Sequence, residues 1–216
     1  MTGPQTFDRD SAGQGWQWAS RALFALAILL LVGHFVIYVH FAVGVMRFPF
    51  DYDQGEGFEL VDTIMFSEGE WPYRDNETYP FYASNYPPLF HVLLVPFVWL
   101  FGPAYWYGRL AGFLATLITA AAIGWIVFRE GRHRPLAIMA GLAYLASNYI
   151  FHVGPLFRQH ISMVMFETLA ILVLAHVTEQ RDARRRRWTM VAGLLLLLAA
   201  GFTKQLSLAT CVAVFA

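Results

Sequence analysis

Nine carboxyl-bearing residues fall between positions 51 and 77: Asp51, Asp53, Glu56, Glu59, Asp62, Glu68, Glu70, Asp75 and Glu77. The first three sit in Phe50-Asp51-Tyr52-Asp53-Gln54-Gly55-Glu56-Gly57-Phe58, directly after an apolar stretch of membrane-spanning length. Ionisable groups at a membrane boundary are costly and are usually kept for function. A carboxylate placed there can accept the proton of an attacking hydroxyl. Where the leaving group is a lipid phosphate, the same chemistry needs cations, because Arg and Lys stabilise the charge that develops on it. Three candidates lie downstream: Arg158 and His160 in Gly154-Pro-Leu-Phe-Arg-Gln-His160, and Lys204 in Gly201-Phe-Thr-Lys-Gln205. Asp53 is the candidate base, Asp51 and Glu56 are supporting acids, and Lys204, Arg158 and His160 are candidate phosphate contacts.

Each of these residues also has a plainer reading. Acids in an external loop are commonly no more than solvated surface. Lys204 can snorkel from a helix end, and Arg158 can pair with Glu167 or with a lipid headgroup. Asp53 stands apart because it follows a span directly and precedes an amphipathic helix, whose N-terminus favours a nearby anion. Gly55 and Gly57 would let the backbone come close to a substrate. His34, His40, His91, His152 and His176 show no paired ligand spacing, so no metal site is read from them.

The elements that must position these residues follow from composition. The chain has 216 residues, 57% hydrophobic and only 14% charged, where soluble domains carry about 25% charge. It reads as an all-α polytopic membrane protein. Its net charge of zero gives no reason to expect nucleic acid. The single cysteine, Cys211, cannot form an internal disulfide. Residues 1–20 read as a disordered cytoplasmic lead. Residues 22–45 form a first span, uncleaved, because a signal peptide has a shorter apolar core of roughly 7–15 residues. Residues 46–105 form an external loop with two juxtamembrane helices. The first covers 56–67, with Phe58, Val61, Ile64 and Met65 on one side and Glu56, Glu59 and Thr63 on another; its apolar side is expected inward and Gly69 ends it. The second covers 89–101, opened by Pro87-Pro88, and is too short to cross. Spans at 110–128, 136–152, 161–177, 188–202 and from 206 onward bring the total to about six transmembrane helices. The basic loops 129–134 and 181–187 belong in the cytoplasm, which gathers Asp53, Arg158 and Lys204 on the external face. The chain stops inside an apolar run, so further spans are expected beyond it. A lipid or solute transporter is the alternative, but that reading expects ionisable residues in mid-membrane, and here they sit mostly at span ends.

An ordered set of short motifs adds to this. Tyr52-Asp53-Gln54-Gly55 is followed by Gly69-Glu70-Trp71-Pro72-Tyr73. Next come Asn85-Tyr86-Pro87-Pro88-Leu89-Phe90, Leu100-Phe101-Gly102, Arg109-Leu110-Ala111-Gly112 and Gly201-Phe202-Thr203-Lys204-Gln205. In this order they resemble the GT-C superfamily of polyprenyl-phosphate-sugar-dependent glycosyltransferases. That superfamily includes protein mannosyltransferases, the lipid A aminoarabinose transferase and the rhizobial Rgt-type core transferases. The resemblance covers about residues 20–216, the N-terminal part of such a domain. It implies an inverting hexosyl- or pentosyltransferase with Asp53 as catalytic carboxylate, in the inner membrane, with its site on the external or periplasmic face. It implies a polyprenyl-phosphate sugar donor, a lipid, glycan or protein acceptor, and surrounding membrane lipid as partners. It brings no cofactor other than room for a divalent cation. Many relatives have Asp-Glu where this chain has Asp53-Gln54, which leaves Glu56 or Asp51 to supply a second carboxylate. Many have an acid where this chain has His160, which weakens any metal role for that turn.

Overall fold

The computed structural model describes residues 9–215, and among them all regular structure is helical. Helix α1 (Arg9–Arg47) contains the first span. Leu23, Leu29, Leu30, Val36 and Ile37 stay exposed along it, whereas Tyr38, Ala42 and Val45 are buried. An outward stripe of this kind is one that a bilayer can cover at no cost to the backbone, whose hydrogen bonds close within the helix. The expected disordered lead is corrected for residues 9–20, which are helical. Once the span has nucleated the helix, each added residue gains one hydrogen bond, and no proline stands between Pro4 and Pro49 to stop it. Residues 1–8 of that lead lie outside the described residues.

Helix α2 (Gln54–Ser67) forms within a residue or two of its expected bounds. Asp53 is its N-cap, and a left-handed Gly69 (φ 76°) follows its end, as a C-terminal glycine commonly does. Helix α3 (Leu89–Phe101) has 13 residues, a rise of about 20 Å, short of the roughly 30 Å of hydrocarbon. It lies against α2: Trp99 Nε1 donates to the Ser67 carbonyl at 2.9 Å. Leu60, Phe90, Leu94, Val98, Tyr107 and Phe157 form one core, in which Tyr107 and Phe157 join both helices to the rest of the bundle.

Helix α4 (Trp106–Gly131) is the second helix long and apolar enough to cross a membrane, after residues 15–47 of α1. The span expected at 136–152 is divided into α5 (Arg134–Leu145) and α6 (Asn148–Val153). Ser147 causes the break: its ψ of 135° is extended, and its hydroxyl accepts from the Ile150 N–H at 3.4 Å, the N-cap role serine prefers over a helix interior. Helices α7 (Gln159–Ala175), α8 (Ala183–Thr203) and α9 (Leu208–Phe215) complete the described chain. The first two take the next two expected spans, although α8 begins with four arginines, Arg184 to Arg187.

Two glycines of α4 decide how the turn before α7 is seated. A Cβ on Gly108 would overlap the Phe157 ring, and one on Gly112 would lie 2.6 Å from the Leu156 carbonyl and 2.7 Å from that of Gly154. The spacing Gly108-x-x-x-Gly112 lets this turn rest directly on the helix, as small residues do between packed membrane helices. Arg158 and His160 are thereby fixed next to the first turn of α2.

Candidate active site

Asp53 caps α2 with its side chain: Oδ1 accepts from the Gly55 N–H at 2.9 Å. The same oxygen accepts from Arg158 Nη2 at 2.5 Å. Oδ2 has no hydrogen-bond partner among the described residues, and the side chain keeps 40% of its exposure against 20% for Arg158. A helix N-terminus and a guanidinium both favour the anion, while the second oxygen remains open to an incoming proton. Asp51 is exposed; its Oδ2 lies 3.1 Å from where a Gly57 Cβ would stand.

Glu56 turns away from this opening. It is fully buried in an ion pair with Arg109, which is also fully buried. Arg109 Nε donates to Glu56 Oε1 at 2.9 Å and Nη2 to Oε2 at 2.7 Å. The other three donors go to the carbonyls of Val45 (2.6 Å), Phe48 (2.5 Å) and Phe50 (2.7 Å). All five N–H groups of the guanidinium are used. Glu56 in turn accepts from the Phe157 N–H at 2.7 Å and the Tyr52 N–H at 2.9 Å. One bidentate pair thus ties the end of α1, the start of α2, α4 and the turn before α7. Of the two supporting acids, Glu56 is a buried brace with no free oxygen for a substrate.

The orientation of α2 corrects the expected one. Glu56, Glu59, Asp62 and Thr63 face inward and are buried, whereas Phe58 and Val61 are exposed. A polar stripe in a membrane protein is drawn to cations and hydrogen-bond donors inside the protein, because the outside offers poorer solvation than bulk water. Asp62 Oδ1 accepts from the Tyr82 hydroxyl at 2.7 Å and Oδ2 from Ser84 at 2.6 Å, which pins the long loop to α2. Glu59 Oε1 lies 3.8 Å from Arg158 Nη1. With its nitrogen turned to the carboxylate, the Gln159 amide donates to Glu59 at 2.7 and 3.0 Å. His91 Nε2 lies 3.3 Å from Glu59 Oε2 and 3.7 Å from Asp62 Oδ2. Burial pushes the Glu59 carboxyl up to about 8, with Arg158 opposing and Asp62 adding. In space, the carboxylate that shares Arg158 with Asp53 is Glu59, not Asp51 or Glu56.

Lys204 is buried at the end of α8. Its Nζ lies 4.9 Å from the centre of the Tyr86 ring and donates to His160 Nε2 at 2.5 Å. Lysine has only donors, so this imidazole nitrogen accepts, and His160 aims the lysine instead of offering its own Nε2 to a phosphate. Gln205 Nε2 donates to the Asn85 carbonyl at 2.8 Å, which closes this turn onto the first loop. A cavity of about 310 Å³ opens beside these groups, with Glu59, Asp62, Asn76, Tyr82, Tyr86 and Arg158 in its wall. The apolar groove between α4 and α5, about 550 Å³, lies at the other end of α4, with Arg134 its one charged residue.

The structure therefore brings Asp53, Arg158, His160 and Lys204 to one place from three separate segments. Arg158 pairs with Asp53 and Glu59; Glu167 makes no ion pair among the described residues. Sequence reasoning gave no site role to Arg109, Glu59, Asp62, His91 or Gln159. Arg109 had a readable signal, a lone charge at the start of an apolar run. Among the described residues no group of three or more His, Cys, Asp or Glu side chains is arranged to hold a metal ion.

Residues 85–216 match the family described as Dolichyl-phosphate-mannose-protein mannosyltransferase. The matched stretch holds Arg109, Arg158, His160 and Lys204; Asp53 and α2 precede it. Neither the curated proteins nor the solved structures give a match to the chain. A match over more than half the chain, on a helical membrane scaffold, places it: the chain belongs to the dolichyl-phosphate-mannose-protein mannosyltransferase family, membrane glycosyltransferases of the GT-C type.

Proposed function

We propose that the protein moves a sugar from a polyprenyl-phosphate-linked donor to an acceptor hydroxyl on the external face of the cell membrane, with Asp53 as the general base. The observation that carries this reading is the half-exposed Asp53 carboxylate, held by Arg158 with one oxygen open, next to the His160–Lys204 pair. Asp53 takes the proton of the acceptor hydroxyl. The acceptor oxygen attacks the sugar's anomeric carbon from the side opposite the phosphate, and the carbon–oxygen bond to phosphate breaks. Polyprenyl phosphate leaves with the electron pair, its charge stabilised by Arg158 and Lys204, and Asp53 returns its proton to water. Displacement from the opposite side inverts the anomeric carbon. The residues 21–216 form the part of the transmembrane domain that carries this site. Asp51 stays outside the machinery.

The assay is direct. Purified full-length protein in proteoliposomes receives a polyprenyl-phosphate-linked mannose, the donor class that the family's description suggests, with envelope extract as acceptor. Sugar transfer and polyprenyl phosphate release should proceed one for one, and the product's anomeric configuration should be opposite to the donor's. Retained configuration, or no consumption of any polyprenyl-phosphate sugar, would overturn the reading.

Two further results are expected. A Cβ on Gly55 would overlap the Arg158 guanidinium. Gly55→Ala should therefore push the guanidinium out of the site and away from the phosphate that it contacts, and lower transfer about 10- to 100-fold, the range a small misplacement at a reacting centre produces, without loss of folded protein by size-exclusion chromatography. For topology, residues 129–134 and 181–187 should be cytoplasmic, by the bias of basic loops, and Asp53, Arg158 and Lys204 external. In a Cys211→Ser background, a cysteine at Gly131 should stay unlabelled by an impermeant thiol reagent in intact cells, and one at Asp75 should label.

A further inference from the structure

His91 is fully buried, and its Nε2 has no hydrogen-bond partner among the described residues. The arrangement around it fixes where its protons are. The Thr63 hydroxyl donates to the Glu59 carbonyl, 2.7 Å away. Its oxygen is then left to accept from His91 Nδ1 at 3.3 Å, so Nδ1 carries a proton. Nε2 faces Glu59 Oε2 at 3.3 Å and Asp62 Oδ2 at 3.7 Å. Without a proton between them, a nitrogen lone pair and two buried carboxylates would face one another, an arrangement that burial makes costly. Asp62 accepts from two hydroxyls, Tyr82 and Ser84, and lies farther from Nε2 than Glu59, which has the single Gln159 amide for its two oxygens. The missing proton therefore belongs to the Glu59–His91 pair.

The charges around this pair give the proton a consequence. Glu59 is faced by Asp62, and by Asp53 through the shared Arg158, on α2; by His91 from α3; by Tyr82 from the long loop; and by Arg158 and Lys204 from the other side. With the proton in place, Asp53 and Asp62 balance Arg158 and Lys204. With it gone, one negative charge is in excess, and Arg158 is the cation within reach, 2.5 Å from Asp53 and 3.8 Å from Glu59. We propose that Glu59 and His91 hold one proton between them, and that its release draws Arg158 from Asp53 towards Glu59 and so strengthens Asp53 as a base. This rests on the assignment of Asp53 as the base. Glu59 and His91 are positioning residues: they act on the reaction through Arg158. Burial raises the Glu59 carboxyl to about 8, which keeps the proton on the pair at neutral pH and lets it go under mild alkali, and it lowers His91, which leaves that proton on the carboxyl. Relieved of the guanidinium on Oδ1, Asp53 faces the acceptor hydroxyl with its charge unshared by a cation, the state in which a carboxylate accepts a proton most readily.

The test joins infrared spectroscopy to kinetics on the full-length protein in lipid nanodiscs. The carbonyl-stretch band of a protonated, buried carboxyl should be present at pH 6 and lost in one step near pH 8. Glu59→Gln should lack it, and His91→Gln should displace the step by at least about one pH unit. The rate of transfer should rise through the same step in the wild type and lose that rise in Glu59→Gln. A purely structural role would instead lower the rate in parallel at every pH. No band at pH 6, the same band in Glu59→Gln, a metal ion bound at the pair in the purified protein, or a rate that ignores the step would each overturn the proposal. Failure of the base assignment shows separately, as an Asp53→Asn variant with undiminished turnover.

Discussion

Asp53→Asn lowers turnover of the full-length enzyme by at least about 100-fold, the lower range for loss of a general base. The amide keeps the size of the side chain and can still cap α2 by accepting from the Gly55 N–H, so the helix remains. What it loses is the charge that faces Arg158 at 2.5 Å and the ability of the open oxygen to take a proton. Asp51→Asn, two residues away, costs less than about threefold, within the range of surface substitutions, because Asp51 is exposed and makes no hydrogen bond or ion pair among the described residues. Steady-state release of polyprenyl phosphate by the two variants checks this. An inactive Asp51→Asn beside an active Asp53→Asn would move the base two residues along the chain; two active variants would remove this loop from the chemistry.

Replacement of Arg109 by alanine should prevent the fold from persisting. The side chain is 0% exposed, as is Glu56, and breaking a buried pair by removing one partner costs about 3–5 kcal/mol. That is a large fraction of the roughly 5–15 kcal/mol that holds a typical domain. Three carbonyls at the end of α1 would lose their donors as well. Arg109→Lys should not restore it, since an ammonium has three donors where the guanidinium uses five in a fixed fork. Glu56→Gln should also destabilise, by leaving the Arg109 charge unmatched. Thermal unfolding followed by size-exclusion chromatography in detergent gives the order expected: wild type, Glu56→Gln, Arg109→Lys, Arg109→Ala. A stable, monodisperse Arg109→Ala protein would show that the brace is dispensable.

The helices were legible because apolar length and turn chemistry are local properties. Asp53 before Gln54-Gly55-Glu56 marked the start of α2, and Gly69 marked its end, both to within two residues. The face of α2 was not legible. A rule that turns apolar residues inward assumes water outside, and Phe58 and Val61 point outward here because the carboxylates of Glu56, Glu59 and Asp62 have partners inside. Those partners lie 53 residues away at Arg109 and 105 residues from Asp53 at Arg158, a separation at which no spacing in the sequence speaks. Ser147 hid its effect for another reason: a single serine in an apolar run is compatible with either a continuous helix or a cap. Arg109 was within reach, since one charge on the boundary of a span is rarely idle.

The central claim is a division of labour: Asp53 does chemistry, and Lys204 with Arg158 holds the phosphate. It is tested most directly by donor binding and single-turnover transfer, measured on the same samples of wild type, Asp53→Asn and Lys204→Ala with a polyprenyl-phosphate-linked mannose. Asp53→Asn should bind the donor within about twofold of the wild type and transfer at least about 100-fold more slowly. Lys204→Ala should weaken donor binding by about 10- to 100-fold, the loss expected for one charge-assisted hydrogen bond. An Asp53→Asn enzyme that loses donor binding in proportion to its rate, or that transfers as fast as the wild type once donor is bound, would contradict the account.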